Sequence, residues 1–174
     1  MPVQFKPNYH YDTDEKRQYL NGKSIVFHCH HYICLFTQLA DDAKLFNGEQ
    51  VLRETAEETF YQLLNDYAAE NSTVKTIEDR CSIAEQYFAF VGLGALSLSV
   101  TETGGSVAMP YSHIDEGWIK KWGTREEAVN FVGQGYIAAA CAFIYNLPCA
   151  SFRAEETQSI VAGADGSTFV VESI

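Results

Sequence analysis

Leu96-Ser97-Leu98-Ser99-Val100-Thr101-Glu102-Thr103-Gly104-Gly105-Ser106-Val107-Ala108-Met109-Pro110-Tyr111 is the stretch where the chain changes its period. Leu96, Leu98 and Val100 alternate with Ser97, Ser99 and Thr101, and after Thr103-Gly104-Gly105 the alternation resumes through Val107, Met109 and Tyr111. Period-two patterning on both sides of a glycine-containing turn predicts an antiparallel hairpin. The segments before it read as helix and those after it as helix followed by strand.

Working back toward the N-terminus, Thr76 opens a helix whose apolar stripe is Ile77, Cys81, Ala84, Tyr87, Phe88 and Val91, ending at Gly92-Leu93-Gly94. Between Gly48 and Glu70, Val51, Leu52, Ala56, Phe60, Leu63, Leu64 and Tyr67 recur at helical spacing while Glu54, Glu57, Glu58 and Asp66 face water. The run Ile25 to Phe36, with Ser24 as N-cap, is continuously apolar and aromatic and predicts a buried helix reaching Phe46. Residues 1–22 read as an N-terminal extended segment, and 23–174 as a single ligand-binding domain.

Toward the C-terminus, Asp115–Lys121 predicts a short helix. Thr124 with Glu127 forms a capping box for a long helix from Arg125 to Tyr145. Three closing strands follow, near 149–155, 158–162 and 167–172. The expectation is an α+β fold, an antiparallel sheet of four to five strands covered on one face by helices, in the order ααα-ββ-αα-βββ.

The 174 residues carry 12 basic and 23 acidic side chains, a formal charge of −11 that repels phosphate backbones and acidic lipid headgroups. Nucleic acid and membrane insertion are therefore excluded as expectations, and a basic protein partner is compatible. The start lacks the pattern of a signal or transit peptide, and the five cysteines are odd in number and irregularly spaced, so a reducing, cytoplasmic setting is expected. Phosphate loops, dinucleotide fingerprints, nucleophile elbows and Cys-x-x-Cys pairs do not occur.

One cluster stands out, His28-Cys29-His30-His31 followed by Cys34. Imidazole and thiolate ligate zinc, copper and iron, and residues three or four apart share a helix face. His28, His31 and Cys34 are candidate metal ligands, with His113 as the partner from outside the helix. The same histidines also suit plain hydrogen bonding inside a packed helix. The aromatics, 13% of the chain, together with glycines and the small run Ala138 to Ala142, allow an apolar pocket between helices and sheet or simply closer packing. Phe27, His30, Tyr32, Tyr87, Tyr136 and Phe152 are its expected ligand-binding residues.

The order Gly123, then Glu126-Glu127-Ala128-Val129-Asn130-Phe131-Val132-Gly133-Gln134-Gly135-Tyr136, then Glu156, Gly163 and Phe169, resembles the 4-vinyl-reductase-like or hydrocarbon-binding family. The Ser-His-x-x-Glu-Gly-Trp segment at 112–118 is similar to it as well. The resemblance covers roughly residues 25 to 172. It implies a domain similar in fold to subunits of vesicle-tethering transport particles, frequently a homodimer, that encloses a small hydrophobic molecule as a sensory or accessory module. Some members bind zinc through a Glu and two Cys in the closing strands. Glu156 matches the acidic position, but Ser159 and Ser167 stand at the cysteine positions, which puts that zinc site in doubt.

The function expected from all of this is binding of a small hydrophobic molecule in an apolar pocket with a His/Cys-lined polar end, with a transition metal (zinc or iron) or heme as candidate cofactor. The alternative is a metalloenzyme using the His28 to Cys34 helix and His113 as ligands or as acid and base.

Overall fold

In the computed structural model, which describes residues 3–174, the alternating stretch is a hairpin: β4 (Gly94–Thr101) pairs with β5 (Gly104–Ser112), Leu98 opposite Val107. Val107 and Met109 turn into the core. Tyr111, expected on the same face, is exposed, because the register shifts between Ala95 and Ser97 and reverses the alternation beyond it. β6 (Phe152–Gln158) and β7 (Ser167–Ser173) complete an antiparallel sheet of order β4-β5-β7-β6.

Helices α1 (His30–Asp42), α2 (Gly48–Glu70) and α3 (Ile77–Phe90) precede the hairpin, and α4 (His113–Trp122) and α5 (Phe131–Tyr145) follow it. The fold is thus α+β. The central element is α5, in which every residue from Phe131 to Ile144 is buried. A helix apolar on all sides needs a neighbour on each of them. The sheet lies on one side, through Phe152 and Phe169, and α2 on the other, where α5 comes so close that a Cβ on Gly135 would stand 2.9 Å from the Ala56 Cβ. Tyr136, Phe88, Phe143, Phe152 and Phe169 fill the layer between helices and sheet.

Other elements differ from the sequence expectation. The first helix begins at His30, not at Ser24, which lies in a strand, and it ends at Asp42; it is not buried, since only Cys34, Thr37 and Ala40 along it are. Residues 9–25 form a small antiparallel sheet of their own, β1 (Tyr9–Asp12), β2 (Arg17–Leu20) and β3 (Lys23–Ile25). Asn21 and Gly22, both at positive φ (49° and 73°), turn the chain between Leu20 and Lys23, a two-residue hairpin signal. Ahead of this sheet, Phe5 packs on Tyr67, Tyr87 and Phe90 and straps the N-terminal segment to α2 and α3.

The long helix starts at Phe131 rather than Arg125. Its cap is Asn130, whose Oδ1 accepts the Gly133 N–H at 2.9 Å. Residues 123–130 stay irregular because Val129 must reach the buried cluster of Trp118 and Val161. Glu127 turns outward instead, to Lys44 and Arg125. The middle closing strand is replaced by a single 3-10 turn, Ile160–Ala162, so the main sheet has four strands.

Candidate functional site

The histidines gather where α1 crosses the start of α4. The crossing is close because α4 carries Gly117 there, where a Cβ would stand 2.8 Å from the His30 Cβ and 2.9 Å from the Cys34 Sγ. The His113 ring lies 6.0 Å from that of His30 and 6.4 Å from that of His28, and the His31 ring lies 4.1 Å from that of His30, tilted by 34°. Burial, with the neighbouring His28 and His30, holds the His113 imidazole below its usual value. His30 is lowered in the same sense by partial desolvation, His31 and Lys120.

Cys34 is not part of this group. It is fully buried, its Sγ donates to the Ile114 carbonyl at 3.6 Å, and burial pushes its thiol up. Among the described residues no three His, Cys, Asp or Glu side chains are placed to hold one ion together. Of the expected pocket residues, Tyr87, Tyr136 and Phe152 belong to the packed core, whereas Phe27 and Tyr32 are 71% and 54% exposed. The six are therefore not brought together around one cavity.

A second polar group is buried between α4, the start of α5 and the β6–β7 edge. Asp115 is 0% exposed, with Ser112, Asn130, Ser159 and Ser167 buried around it. Asn130 Nδ2 donates to Asp115 Oδ2 at 2.7 Å and to Ser112 Oγ at 3.0 Å, and Ser112 Oγ also accepts the Asp115 N–H. Asp115 Oδ1 and both carboxylate oxygens of Glu156 are buried without a well-formed hydrogen bond. Burial pushes the Glu156 carboxyl up to about 7, helped by the charge of Asp115, against the pull of the nearby Ser167 and Ser159 hydroxyls. Asp115 is raised as well, mainly by burial. A cleft of about 480 Å³, lined by Glu126, Ala128, Glu156, Ser159 and the 3-10 turn, opens onto this group.

Glu156, Ser159 and Ser167 are thus neighbours, as the family pattern implies for a zinc site. The donor set does not fit zinc: no thiolate or imidazole is among them, and zinc prefers nitrogen and sulfur.

A third feature is a groove of about 580 Å³ between α2, α5 and β6. Gly135, Ala138, Phe152 and Ala154 contribute its apolar lining, Arg53, Glu57, Gln134 and Arg153 its polar part. Arg53 Nε is buried there without a hydrogen-bond partner. Glu57 receives the Ala150 N–H at 2.9 Å, yet burial still raises its carboxyl. Cys149 lies on the same wall. Neither this groove nor the cleft is lined by His28, His30, His31 or His113, so the histidines do not form the polar end of either.

Sequence reasoning missed Asp115, Asn130 and Arg53 as functional candidates. Asp115 and Asn130 carried only capping and family-pattern signals. Arg53 sits inside the acidic face of α2, where nothing in the spacing marks a cation turned inward.

No protein-family model matches the sequence, and no curated protein matches it either. Solved structures do share the fold. The phenol-responsive sensory domain of the transcription activator PoxR, solved with phenol, superposes with a TM-score of 0.76 at 9% identity, covering 95% of this chain and 84% of that one. A vinyl-4-reductase family protein from Methanocaldococcus jannaschii gives 0.57 at 19% identity, over 86% and 84%. Trafficking protein particle complex subunit 3 from Naegleria fowleri, covalently bound to palmitic acid, gives 0.55 at 11% identity, over 83% and 95%. The likeness is one of fold, and it agrees with the resemblance carried by residues 112–169. No helix among the described residues is long and apolar enough to cross a membrane.

Proposed function

We propose that this chain is a small-molecule-binding domain of the sensory or accessory kind, and that its ligand lodges in the groove between α2, α5 and β6. The observation that carries this reading is the pairing of an apolar lining with the unpartnered Arg53 Nε in a groove of about 580 Å³. Sites for small organic ligands typically enclose about 300–1,000 Å³ and combine apolar walls with a few directed polar groups. A buried donor without a partner is costly, and a ligand acceptor would remove that cost. The favoured ligand is a small, largely apolar molecule bearing one acceptor such as a phenolate or carboxylate. Two proteins of the same fold were solved with phenol and with covalently bound palmitic acid, which supports an apolar ligand on this fold.

The assembly this reading favours is a homodimer. Tyr32, Leu35, Phe36 and Leu39 form one exposed apolar stripe along α1, continued by Leu45 and Phe46. Five free thiols support a reducing compartment such as the cytoplasm, and the charge of −11 suits a basic protein partner.

The test is a footprint on Cys149. Small phenols and aryl carboxylates that raise the melting temperature are titrated while alkylation of Cys149 and of the exposed Cys29 is followed by mass spectrometry. A groove ligand slows alkylation at Cys149 and not at Cys29, and Arg53→Gln weakens it. Equal protection of both thiols, or stabilisation untouched by Arg53→Gln, rejects the groove.

A further inference from the structure

Arg53 and Glu57 stand one turn apart on α2, and both line the groove against α5 and β6. Opposite charges at this spacing are well placed to pair. They do not pair here: no ion pair among the described residues includes either of them. One oxygen of Glu57 accepts the Ala150 N–H at 2.9 Å instead, which ties the carboxylate to the chain just before β6, and Arg53 Nε stays buried without a partner. Two neighbouring charges are engaged elsewhere, Glu54 by Gln50 Nε2 at 2.7 Å and Arg153 by Glu155 at 2.6 Å. One wall of the groove therefore holds a cation and an anion, each lacking a counter-charge.

The balance of charge selects the ligand. Glu54, Glu57 and Glu58 line the groove against Arg53 and Arg153. Burial raises the Glu57 carboxyl, the Ala150 N–H works against it, and the charges of Glu54 and Glu58 raise it further. A ligand with a carboxylate alone gains Arg53 but faces three acids, and one with an amine alone gains the acids but faces Arg53. A molecule carrying both groups satisfies each. Gln134, 6% exposed, lines the same groove, and its side-chain amide makes no hydrogen bond among the described residues, so one more donor and one more acceptor are open to a ligand. Beside these groups the small residues Gly135, Ala138 and Ala154, with the Phe152 ring, leave room for an apolar substituent.

From this split of charges we infer that the groove takes a zwitterion, an α-amino acid with an apolar side chain, its carboxylate on the Arg53 guanidinium and its ammonium on the free oxygen of Glu57. Guanidinium matches a planar carboxylate through two parallel N–H donors, and a charge-assisted contact is about twice as strong as a neutral one. This ligand class rests on the groove reading and narrows it, from a molecule with one acceptor to one with a carboxylate and an ammonium. Glu57 becomes the residue that separates amino acids from simple aryl acids.

The experiment titrates the full-length protein with phenylalanine, 3-phenylpropionate and 2-phenylethylamine, which share a ring and chain and differ only in their charged groups. Protection of Cys149 against alkylation is followed, with the exposed Cys29 as internal control. Phenylalanine should give half-protection at a concentration at least about tenfold below that of either analogue, the gain of a second charge-assisted contact. Glu57→Gln keeps an oxygen for the Ala150 N–H. It should weaken phenylalanine at least about tenfold yet strengthen 3-phenylpropionate, which loses a repulsive neighbour, and opposite shifts for two ligands cannot come from unfolding. Arg53→Gln should weaken both. If 3-phenylpropionate binds as tightly as phenylalanine, or if Glu57→Gln weakens the two alike, the zwitterion is overturned and the groove stands. The zwitterion also falls if none of the three shields Cys149 at millimolar concentration while a phenol does, and if phenols fail as well the groove falls with it.

Discussion

Asn130 Nδ2 donates to Asp115 Oδ2 at 2.7 Å while its own Oδ1 caps α5 through the Gly133 N–H at 2.9 Å, so one amide both starts the central helix and holds a buried carboxylate. Neither contact can be replaced by the other. The entry of α5 into the core and the position of α4 are consequently set by the same side chain.

Asn130→Ala should cost about 2–4 kcal/mol, the sum of a lost cap and a buried carboxylate stripped of its donor. For a domain of this size that corresponds to a fall in melting temperature of about 5–15 °C. Asn130→Asp keeps the cap oxygen but sets a third acid beside Asp115 and Glu156, and should be no better than alanine. A melting temperature within 1–2 °C of wild type for either variant would show that the amide is dispensable.

Gly135 lets α5 pack directly against the α2 backbone. A Cβ there would lie 2.9 Å from Ala56 Cβ and 3.0 Å from Glu57 N, so Gly135→Ala must push the helices apart. The expected cost is about 1–3 kcal/mol, and the groove that both helices line should lose ligand affinity along with it. Urea denaturation and the Cys149 footprint measure the two effects, and an unaltered midpoint would contradict the packing.

Acid should weaken the tie between the end of α1 and the loop before α5. Burial works against the Asp41 carboxylate, but the Arg125 hydrogen bond at 2.8 Å and the Arg125 and Lys44 charges outweigh it, so its value lies below the usual 3.8. A depressed carboxylate stabilises the fold above its unfolded value, and that stabilisation is lost as pH falls through the folded value. The stability difference between wild type and Asp41→Asn should be about 1 kcal/mol at pH 6 and vanish toward pH 2. A difference independent of pH excludes the pair as its source.

Leu39→Glu places a charge in the middle of the exposed α1 stripe, where Leu39 is 53% exposed. Because the residue is largely outside the core, the unfolding free energy of the monomer should change by no more than about 1 kcal/mol. The sedimentation coefficient should fall from that of a dimer to that of a monomer. Wild-type protein that sediments as a monomer at 100 µM removes the dimer from the reading.

The hairpin was legible because alternation is a local pattern, and Leu98 opposite Val107 follows from it. The bulge that exposes Tyr111 was not, since a register shift depends on how β4 meets its neighbours. The start of α5 was misread at Thr124 and Glu127 because their spacing satisfies a capping box in isolation. The competing demand, Val129 packed with Trp118 and Val161, is tertiary. Asn21-Gly22 carries a two-residue hairpin signal, and the pairing of Leu20 with Lys23 is what it marks.

The site divides along the same line. Helical spacing put His30, His31 and Cys34 on one segment, and the fold brings the His113 ring to 6.0 Å from that of His30 and 6.4 Å from that of His28. Spacing alone could not show that Cys34 turns inward to the Ile114 carbonyl, because that depends on Gly117 letting α1 approach. By itself the sequence determined the α+β class, the hairpin, the acidic surface and the doubtful fit of Ser159 and Ser167 to zinc, all of them consequences of residue type or short-range periodicity. Only the tertiary structure decided that Asp115 joins Glu156 in a buried pair and that Arg53 is left without a partner beside α5. Burial and unmet hydrogen bonds belong to the meeting of distant segments, and no local pattern records them.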